Sequence, residues 1–402
     1  MTSYLLKPGE LTLKGGNREL FEKILKRNLS AMLRLSGARV INAGSGRYYV
    51  RCEQDKEDSV EHALKHLFGI SGWAKTRICE KQPEAVIEAC VKEAGLLFEK
   101  GIRSFKIEAR RTDKSFPLDS YKIRCQAGAA VLKALPGLKV DVHRPEGCIE
   151  VEIREKAYIY GNARRGLRGL PVGSSGRGLL LLSGGIDSPA AGYMMLSRGM
   201  KLDAVYFHAY PYTSEEARQK TLSLAKILAC YGMGLKFFTV NFTPIQGRIK
   251  EKSPEAWRTV LLRMAMMECA ERLARRKGAK CLVTGESLSQ VASQTVENIS
   301  CTQSRLSLPV LRPLIGMDKE DIVRLSEKIG AYKISILPYE DCCVLFSPEH
   351  PILRGNPAEA GNLYEALDCD SLITEALKTA AAEKCFYSEA GVSEHLIGRP
   401  QI

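Results

Sequence analysis

Thirteen cysteines are scattered through the chain without one Cys-x-x-Cys pair, and no Gly-x-x-x-x-Gly-Lys-Ser/Thr loop or Gly-x-Gly-x-x-Gly turn occurs. The cysteine pattern excludes a disulfide framework and a Cys-pair zinc site, and reads as reduced thiols. The missing loops disfavour kinase-like transfer of a γ-phosphate and a dinucleotide-type methyltransferase fold. No apolar run approaches the ~20 residues of a membrane span. The opening MTSYLLKPGELTLKGGNREL has no apolar signal core, so the cytoplasm is the expected compartment. Internal repeats and low-complexity tracts are absent too. What remains is an ordinary globular composition, 45% hydrophobic and 26% charged, over 402 residues. At roughly 100–200 residues per domain, two to four domains are expected.

The net charge of +13 is unevenly placed. Residues 1–173 carry 32 basic and 21 acidic side chains, residues 174–402 carry 27 and 25. The excess gathers in three stretches, Lys14 to Arg27, Lys106 to Lys114 and Arg164 to Arg177. Such clustering points the front section at a nucleic acid rather than at a merely solvated surface.

Residues Asn17 to Leu35 show helical spacing, with Leu20, Ile24, Leu25 and Leu29 on one face, and Arg47 to Cys52 reads as a strand. A second helix is predicted over Glu84 to Lys100. In FKIEARR, Phe105, Ile107 and Ala109 alternate with Lys106, Glu108 and Arg110, the pattern of a half-buried strand. Asp119 or Ser120 then caps a helix to Ala134. The run Gly161 to Gly178 holds six glycines, one proline and four arginines and reads as a domain linker. Beyond it, short apolar strands (Leu179 to Leu182, LDAVYFHAY, KFFTVNF, CLVTGE) alternate with helices at Pro189 to Ser197, Ser214 to Tyr231 and Glu255 to Lys277. That alternation predicts a doubly wound parallel sheet, with ligands beyond its carboxyl ends. Ser183, Phe207, His208, Gly285 and Glu286 are expected on that rim. Helices are expected again at Ala358 to Leu367 and Ser371 to Lys384.

The most informative segment is LLLLSGGIDSPAAGYMM. A buried strand runs into Ser183-Gly184-Gly185-Ile186-Asp187-Ser188, with Ser188 as N-cap and Pro189 at the first helical position. Glycines allow close approach, and exposed N–H groups at a helix start suit phosphate oxygens. SGGIDS resembles the PP-loop of ATP pyrophosphatases. KPGELTLKGGNR, FKIEARRTDKSFPLDS, LPVGSSGRGLLLLSGGIDSPAAGYMM, LVTGESLSQVASQT, LPVLRPLIGMDKEDI and ILPYEDCCVLF resemble, in order, the tRNA 4-thiouridine synthetase (ThiI) family. That resemblance implies a ferredoxin-like α+β domain at 1–58, a THUMP RNA-binding α/β domain at 59–165, a linker at 166–178, and a PP-loop catalytic domain at 179–402.

It also implies the reaction: ATP adenylates O4 of uridine 8 in tRNA, pyrophosphate leaves, and a persulfide replaces the activated oxygen as AMP departs. Ser183, Gly184, Gly185, Asp187 and Ser188 form the phosphate cradle, with Asp187 essential for holding Mg²⁺ or positioning a group. Leu181, Leu182, Tyr206, Phe207, Arg263, Gly285 and Gln294 match nucleotide-contacting positions, Tyr206 standing where the family often has histidine. Lys319 matches a lysine needed for activity. Cys342 matches the sulfur-carrying cysteine, with Cys343 beside it. Cys90, Cys125, Cys269 and Cys281 lie in apolar contexts and read as core residues. Lys14, Arg18, Arg110, Arg111 and Lys114 lie on the two front motifs as phosphate contacts. ATP and Mg²⁺ are the implied cofactors; tRNA, a cysteine desulfurase as persulfide donor and a second copy in a homodimer are the expected partners. The fifty residues after Leu353 are too few for the rhodanese domain of longer family members, which argues against sulfur delivery to the thiazole of thiamine. Two other readings are open: a PP-loop ligase acting on a small molecule, against which the basic front and EDCC speak, and a non-catalytic RNA-binding protein, against which the intact SGGIDS, Lys319 and Cys342 speak.

Overall fold

The computed structural model describes residues 1–13, 15–34, 36–43, 46–339 and 348–387. The chain forms two compact units, Met1–Gly169 and Leu170–Ile402.

The first unit opens with β1 (Thr2–Pro8), α1 (Arg18–Met32), β2 (Arg39–Ala43), β3 (Arg47–Cys52), α2 (Glu57–His66) and β4 (Ile70–Lys75). Its antiparallel sheet has the order β4-β1-β3-β2, the ferredoxin-like arrangement. Ile24, Leu25, Leu29 and Met32 of α1 are buried, whereas Leu20 is exposed, so the apolar stripe starts one turn later than its spacing predicts. A boundary between residues 58 and 59 would cut through α2 and separate β4 from β1, with which it pairs.

A second sheet follows from β5 (Arg77–Cys79), α3 (Pro83–Glu99), β6 (Ser104–Arg111), α4 (Ser120–Ala134), β7 (Lys139–Val140), β8 (Gly147–Ile153) and β9 (Ala157–Gly161), in the order β5-β9-β8-β6-β7. Phe105 and Ile107 of β6 are buried, as its alternation predicts, and the Asp119 carboxylate accepts from Lys122 N to cap α4. Cys125, expected in the core, is exposed on α4. The two sheets of this unit are tied by a shared polar cluster. Lys7 Nζ lies 2.6 Å from Glu150, Arg47 lies 3.2 Å from Glu152, and Tyr160 Oη donates to both carboxylates at 2.9 Å.

The expected linker is pinned at both ends. The short β10 (Arg164–Arg165) pairs with β4, and Gly166 N and Arg168 N donate to Ser71 O and Ile70 O. Leu170 N and Gly173 N donate instead to Ser197 O and Gly199 O in the second unit. These four backbone N–H groups are thus satisfied by neighbouring elements.

The second unit contains β11 (Arg177–Leu181), α5 (Asp187–Ser197), β12 (Lys201–His208), α6 (Glu215–Gly232), β13 (Leu235–Asn241), α7 (Thr243–Lys252), α8 (Arg258–Arg276), β14 (Leu282–Val283), α9 (Val296–Gln303), β15 (Val310–Leu311), α10 (Lys319–Lys328), α11 (Tyr332–Ser335), α12 (Pro357–Ala366), α13 (Asp370–Lys378) and β16 (Ala381–Cys385). The sheet order is β15-β14-β11-β12-β13-β16, parallel except for β16. Leu179 and Leu180 are both fully buried, so both faces of β11 are covered, as a central parallel strand requires. The last expected helix stops at Lys378. Residues 381–384 are good helix formers, yet residues 381–385 pair with β13 and bury Cys385, tertiary pairing overriding a weak local preference. The chain winds from β11 through β12 to β13 and returns to the other side of β11 as β14. That reversal opens a crevice at the carboxyl ends of β11 and β14. Among the described residues no helix is long and apolar enough to cross a membrane.

Candidate active site

A cavity of about 420 Å³ occupies this crevice. Ten of the twelve residues expected around a nucleotide line it: Leu181, Leu182, Ser183, Asp187, Ser188, Tyr206, Phe207, Arg263, Gly285 and Gln294. Gly184 and Gly185 complete the turn between Ser183 and Asp187. His208, expected on the same rim, is buried, with its Nε2 3.4 Å from Ser214 O. Tyr206 and Phe207 are successive strand residues, so their rings point to opposite faces of β12. The Tyr206 ring packs on Phe237, and that of Phe207 on Phe242.

The turn is organised by its own serines, though not as an N-cap. α5 begins at Asp187, which puts Ser188 in the first turn; its Oγ accepts from Ser183 N at 2.9 Å and lies 3.2 Å from Ser183 Oγ. Gly185 N donates to Ser183 Oγ at 3.3 Å. Pro189 becomes the third helical residue, where its missing N–H still removes no intrahelical bond.

Two groups far apart in sequence converge on Asp187. Lys319, the first residue of α10, places Nζ 2.6 Å from Asp187 Oδ1, and Gln290 Nε2 donates to Oδ2 at 2.8 Å. The ammonium group therefore stands beside the start of α5, where the helix dipole and backbone N–H groups already favour an anion. Lys319 is half-exposed, so its ion pair adds little stability in water. Its value is positional.

Gly285 is glycine for a packing reason. A Cβ there would lie 2.7 Å from Ser188 N and 2.8 Å from the carbonyl carbon of Asp187. Both atoms are backbone, so α5 would have to move. Gly285→Ala is expected to cost about 1–3 kcal/mol of stability and to weaken ATP binding at least about tenfold; thermal melting and ATP titration of the variant check this. An alanine variant that melts and binds like the original chain would contradict the close approach.

Glu286, placed on the rim by the strand pattern, is 2% exposed at its side chain and sits between Arg263 and Arg312. Met266 and Met267 also line the cavity; they follow Arg263 by three and four residues on α8, a spacing that could have found them. Thr284, Gln290 and Val291 carried no such signal, because only the fold brings them to the loop.

Cys342 and Cys343 lie outside the described residues. The chain entering that stretch is anchored: Ser335 Oγ donates to Gly185 O at 3.2 Å, and the buried Lys220 Nζ donates to Leu337 O at 2.8 Å and Tyr339 O at 3.3 Å. The described cysteines of the second unit are all buried. Burial pushes the Cys269 thiol up to about 12 and that of Cys385 up to about 11, states in which the reactive thiolate is scarce.

In the first unit, Arg110 and Lys114 are exposed on the FKIEARRTDKSF segment, as phosphate contacts must be. Arg111 instead braces the following loop, its Nη1 donating to Phe116 O and Leu118 O. Arg18 pairs with Glu22 at 2.7 Å on α1, and Lys14 lies outside the described residues. A groove of about 880 Å³ in this unit was not foreseen. It is lined by Arg51, Lys75, Arg77, Lys100, Lys156 and Arg164 against Glu61 and Glu93, with the Arg164 guanidinium over the Trp73 ring at 4.9 Å. Apart from Arg164, which opens the third basic stretch, its basic residues are scattered singly in the sequence, so no charge run marks them.

The family model described as thiamine biosynthesis protein (ThiI) matches residues 173–369, the ThiI ferredoxin-like domain matches 3–74, and the THUMP domain matches 80–161. A probable tRNA sulfurtransferase of Treponema pallidum is 49% identical over 98% of both chains. One of Caldanaerobacter subterraneus is 44% identical over 92% of this chain and 96% of its own. A solved 4-thiouridine synthetase–RNA complex with bound ATP is 35% identical, covers 96% of this chain and all of its own, and superposes with a TM-score of 0.89.

Proposed function

The chain belongs to the ThiI family, and from that membership we propose that it is a tRNA sulfurtransferase that converts uridine 8 of tRNA to 4-thiouridine with ATP. The observation that supports this most strongly is the Lys319–Asp187 pair beside the phosphate loop, at the mouth of a nucleotide-sized cavity.

A carbonyl oxygen is a poor leaving group. In this reading O4 of the uridine attacks the α-phosphorus of ATP, and the bond to the β-phosphate breaks. Lys319 and the N–H groups of the Ser183–Ser188 turn stabilise the charge that gathers on the departing pyrophosphate. Asp187, holding Lys319 and Gln290, sets where that ammonium stands. The terminal sulfur of a persulfide on Cys342, delivered by a cysteine desulfurase, then attacks C4 and AMP departs with the oxygen; a second thiol attacks Cys342 Sγ, which breaks the S–S bond, leaves the sulfur on C4 and yields a disulfide. The site also suits Mg²⁺ carried on the phosphates, which needs only one or two protein carboxylates; Asp187 would hold it, and it would neutralise phosphate charge.

Domains divided near residues 75 and 170, a homodimer as the working unit and the cytoplasm as the compartment belong to the same reading. The exposed Arg110 and Lys114 and the basic groove would meet tRNA phosphates. Replacing either of those two residues by alanine is expected to weaken tRNA binding and lower the slope of log affinity against log salt by about one, measured by titration across salt concentrations. An unchanged slope would remove the residue from the RNA surface.

The function is tested by gel mobility of tRNA in the presence of an organomercurial, using cells lacking this gene. Thiolated tRNA should reappear on complementation with the intact chain. Tests that leave tRNA unshifted, in a strain where the chain is stably produced, would refute the assignment.

A further inference from the structure

Glu286 has no part in the mechanism above, yet it is a fully engaged carboxylate in the cavity wall. Its Oε1 accepts from Arg263 Nη2; its Oε2 accepts from Arg312 Nε at 2.6 Å and from Thr284 Oγ1 at 2.9 Å. Burial alone would push this carboxyl up towards the neutral form. The two guanidinium groups outweigh that and hold it below the usual carboxylate range, so it is ionised. A buried carboxylate already accepting three donors is poorly placed to ligate a cation or to abstract a proton.

Its connections describe another task. Arg263 comes from α8, Glu286 from the loop after β14, and Arg312 from the residue after β15; Arg312 Nη1 also donates to Gln303 Oε1 at 2.9 Å. Arg263 lines the cavity on a long, flexible stem, and the carboxylate sets where its guanidinium stands. Two arginines and one glutamate leave the cluster with a surplus positive charge, which suits an anionic ligand.

We propose that Glu286 is a positioning residue for the nucleotide: it fixes Arg263 against ATP and, with Arg312, makes the three side chains one unit. This rests on the reading that the cavity holds ATP. The test is a cycle of Arg263→Ala, Glu286→Gln and the double variant in the full chain. It measures the ATP dissociation constant by calorimetry and KM and kcat with tRNA as substrate. Glu286→Gln is expected to raise the dissociation constant and KM for ATP about tenfold or more, with kcat within about threefold and KM for tRNA unchanged. Because it acts through Arg263, the double variant should bind no worse than Arg263→Ala alone. Glu286→Asp keeps the charge but withdraws it by one methylene; it should weaken ATP binding less than Glu286→Gln, and it carries the test if the glutamine variant fails to fold. Multiplying effects in the double variant, or ATP affinity in both Glu286 variants within twofold of the original chain, would overturn the inference. If the unaltered chain binds no ATP, the reading of the cavity fails first, a distinguishable result.

Discussion

Asp187→Asn is expected to slow tRNA-dependent pyrophosphate release about 100- to 1,000-fold, the range found when one preorganised electrostatic group is lost. The amide keeps the shape of the side chain but removes the charge that holds Lys319 Nζ at 2.6 Å. Lys319→Ala should fall in the same range, because both changes leave the departing pyrophosphate without a placed cation. The double variant should be little worse than either single one, since the two groups act as a unit. Rapid-quench measurement of pyrophosphate checks this. A loss of less than threefold for Asp187→Asn would reduce the pair to an exposed ion pair, worth no more than about 1 kcal/mol. An Asp187→Asn defect restored by raised magnesium, with Lys319→Ala unaffected, would make cation binding, and not the placing of Lys319, the main task of Asp187.

Cys342→Ser is expected to abolish 4-thiouridine entirely while the first pyrophosphate from each bound tRNA is released at near its original rate. Serine has the shape of cysteine but cannot carry a transferable sulfur, so no residual sulfur transfer through this position remains. Cys343→Ser should retain thiolation. The chemistry of the other thiols supports this division. Cys230, Cys269, Cys281, Cys301, Cys369 and Cys385 of the second unit are buried, and burial raises the Cys269, Cys281, Cys301, Cys369 and Cys385 thiols above their ordinary value. The exposed Cys125 belongs to the first unit. Thiolation by the Cys342→Ser chain, read from tRNA mobility on an organomercurial gel, would transfer the sulfur role to another residue.

Much of this architecture was readable from local pattern. The strand–turn–helix around SGGIDS, the Asp119 cap and the alternation in FKIEARR are set by residues within a few positions of one another, where spacing and capping chemistry act directly. Ser188 shows the limit of such reasoning: a serine beside a helix start suggests an N-cap, but here its hydroxyl closes the turn onto Ser183 instead. The misjudged features depend on distant partners. β4 joins the first sheet by pairing with β1, and β16 is a strand because β13 offers it an edge. The basic groove and the Asp187–Lys319–Gln290 cluster likewise bring together residues that no periodicity connects. Leu20 is exposed although it continues the apolar spacing of α1.

The central claim is that nucleotide cleavage between the α- and β-phosphates activates the uridine. Purified chain given tRNA, ATP, magnesium and a persulfide donor should release one pyrophosphate and one AMP for each 4-thiouridine formed, and little of either without tRNA. Thiouridine accumulating without stoichiometric pyrophosphate, or with ADP and phosphate in its place, would contradict it.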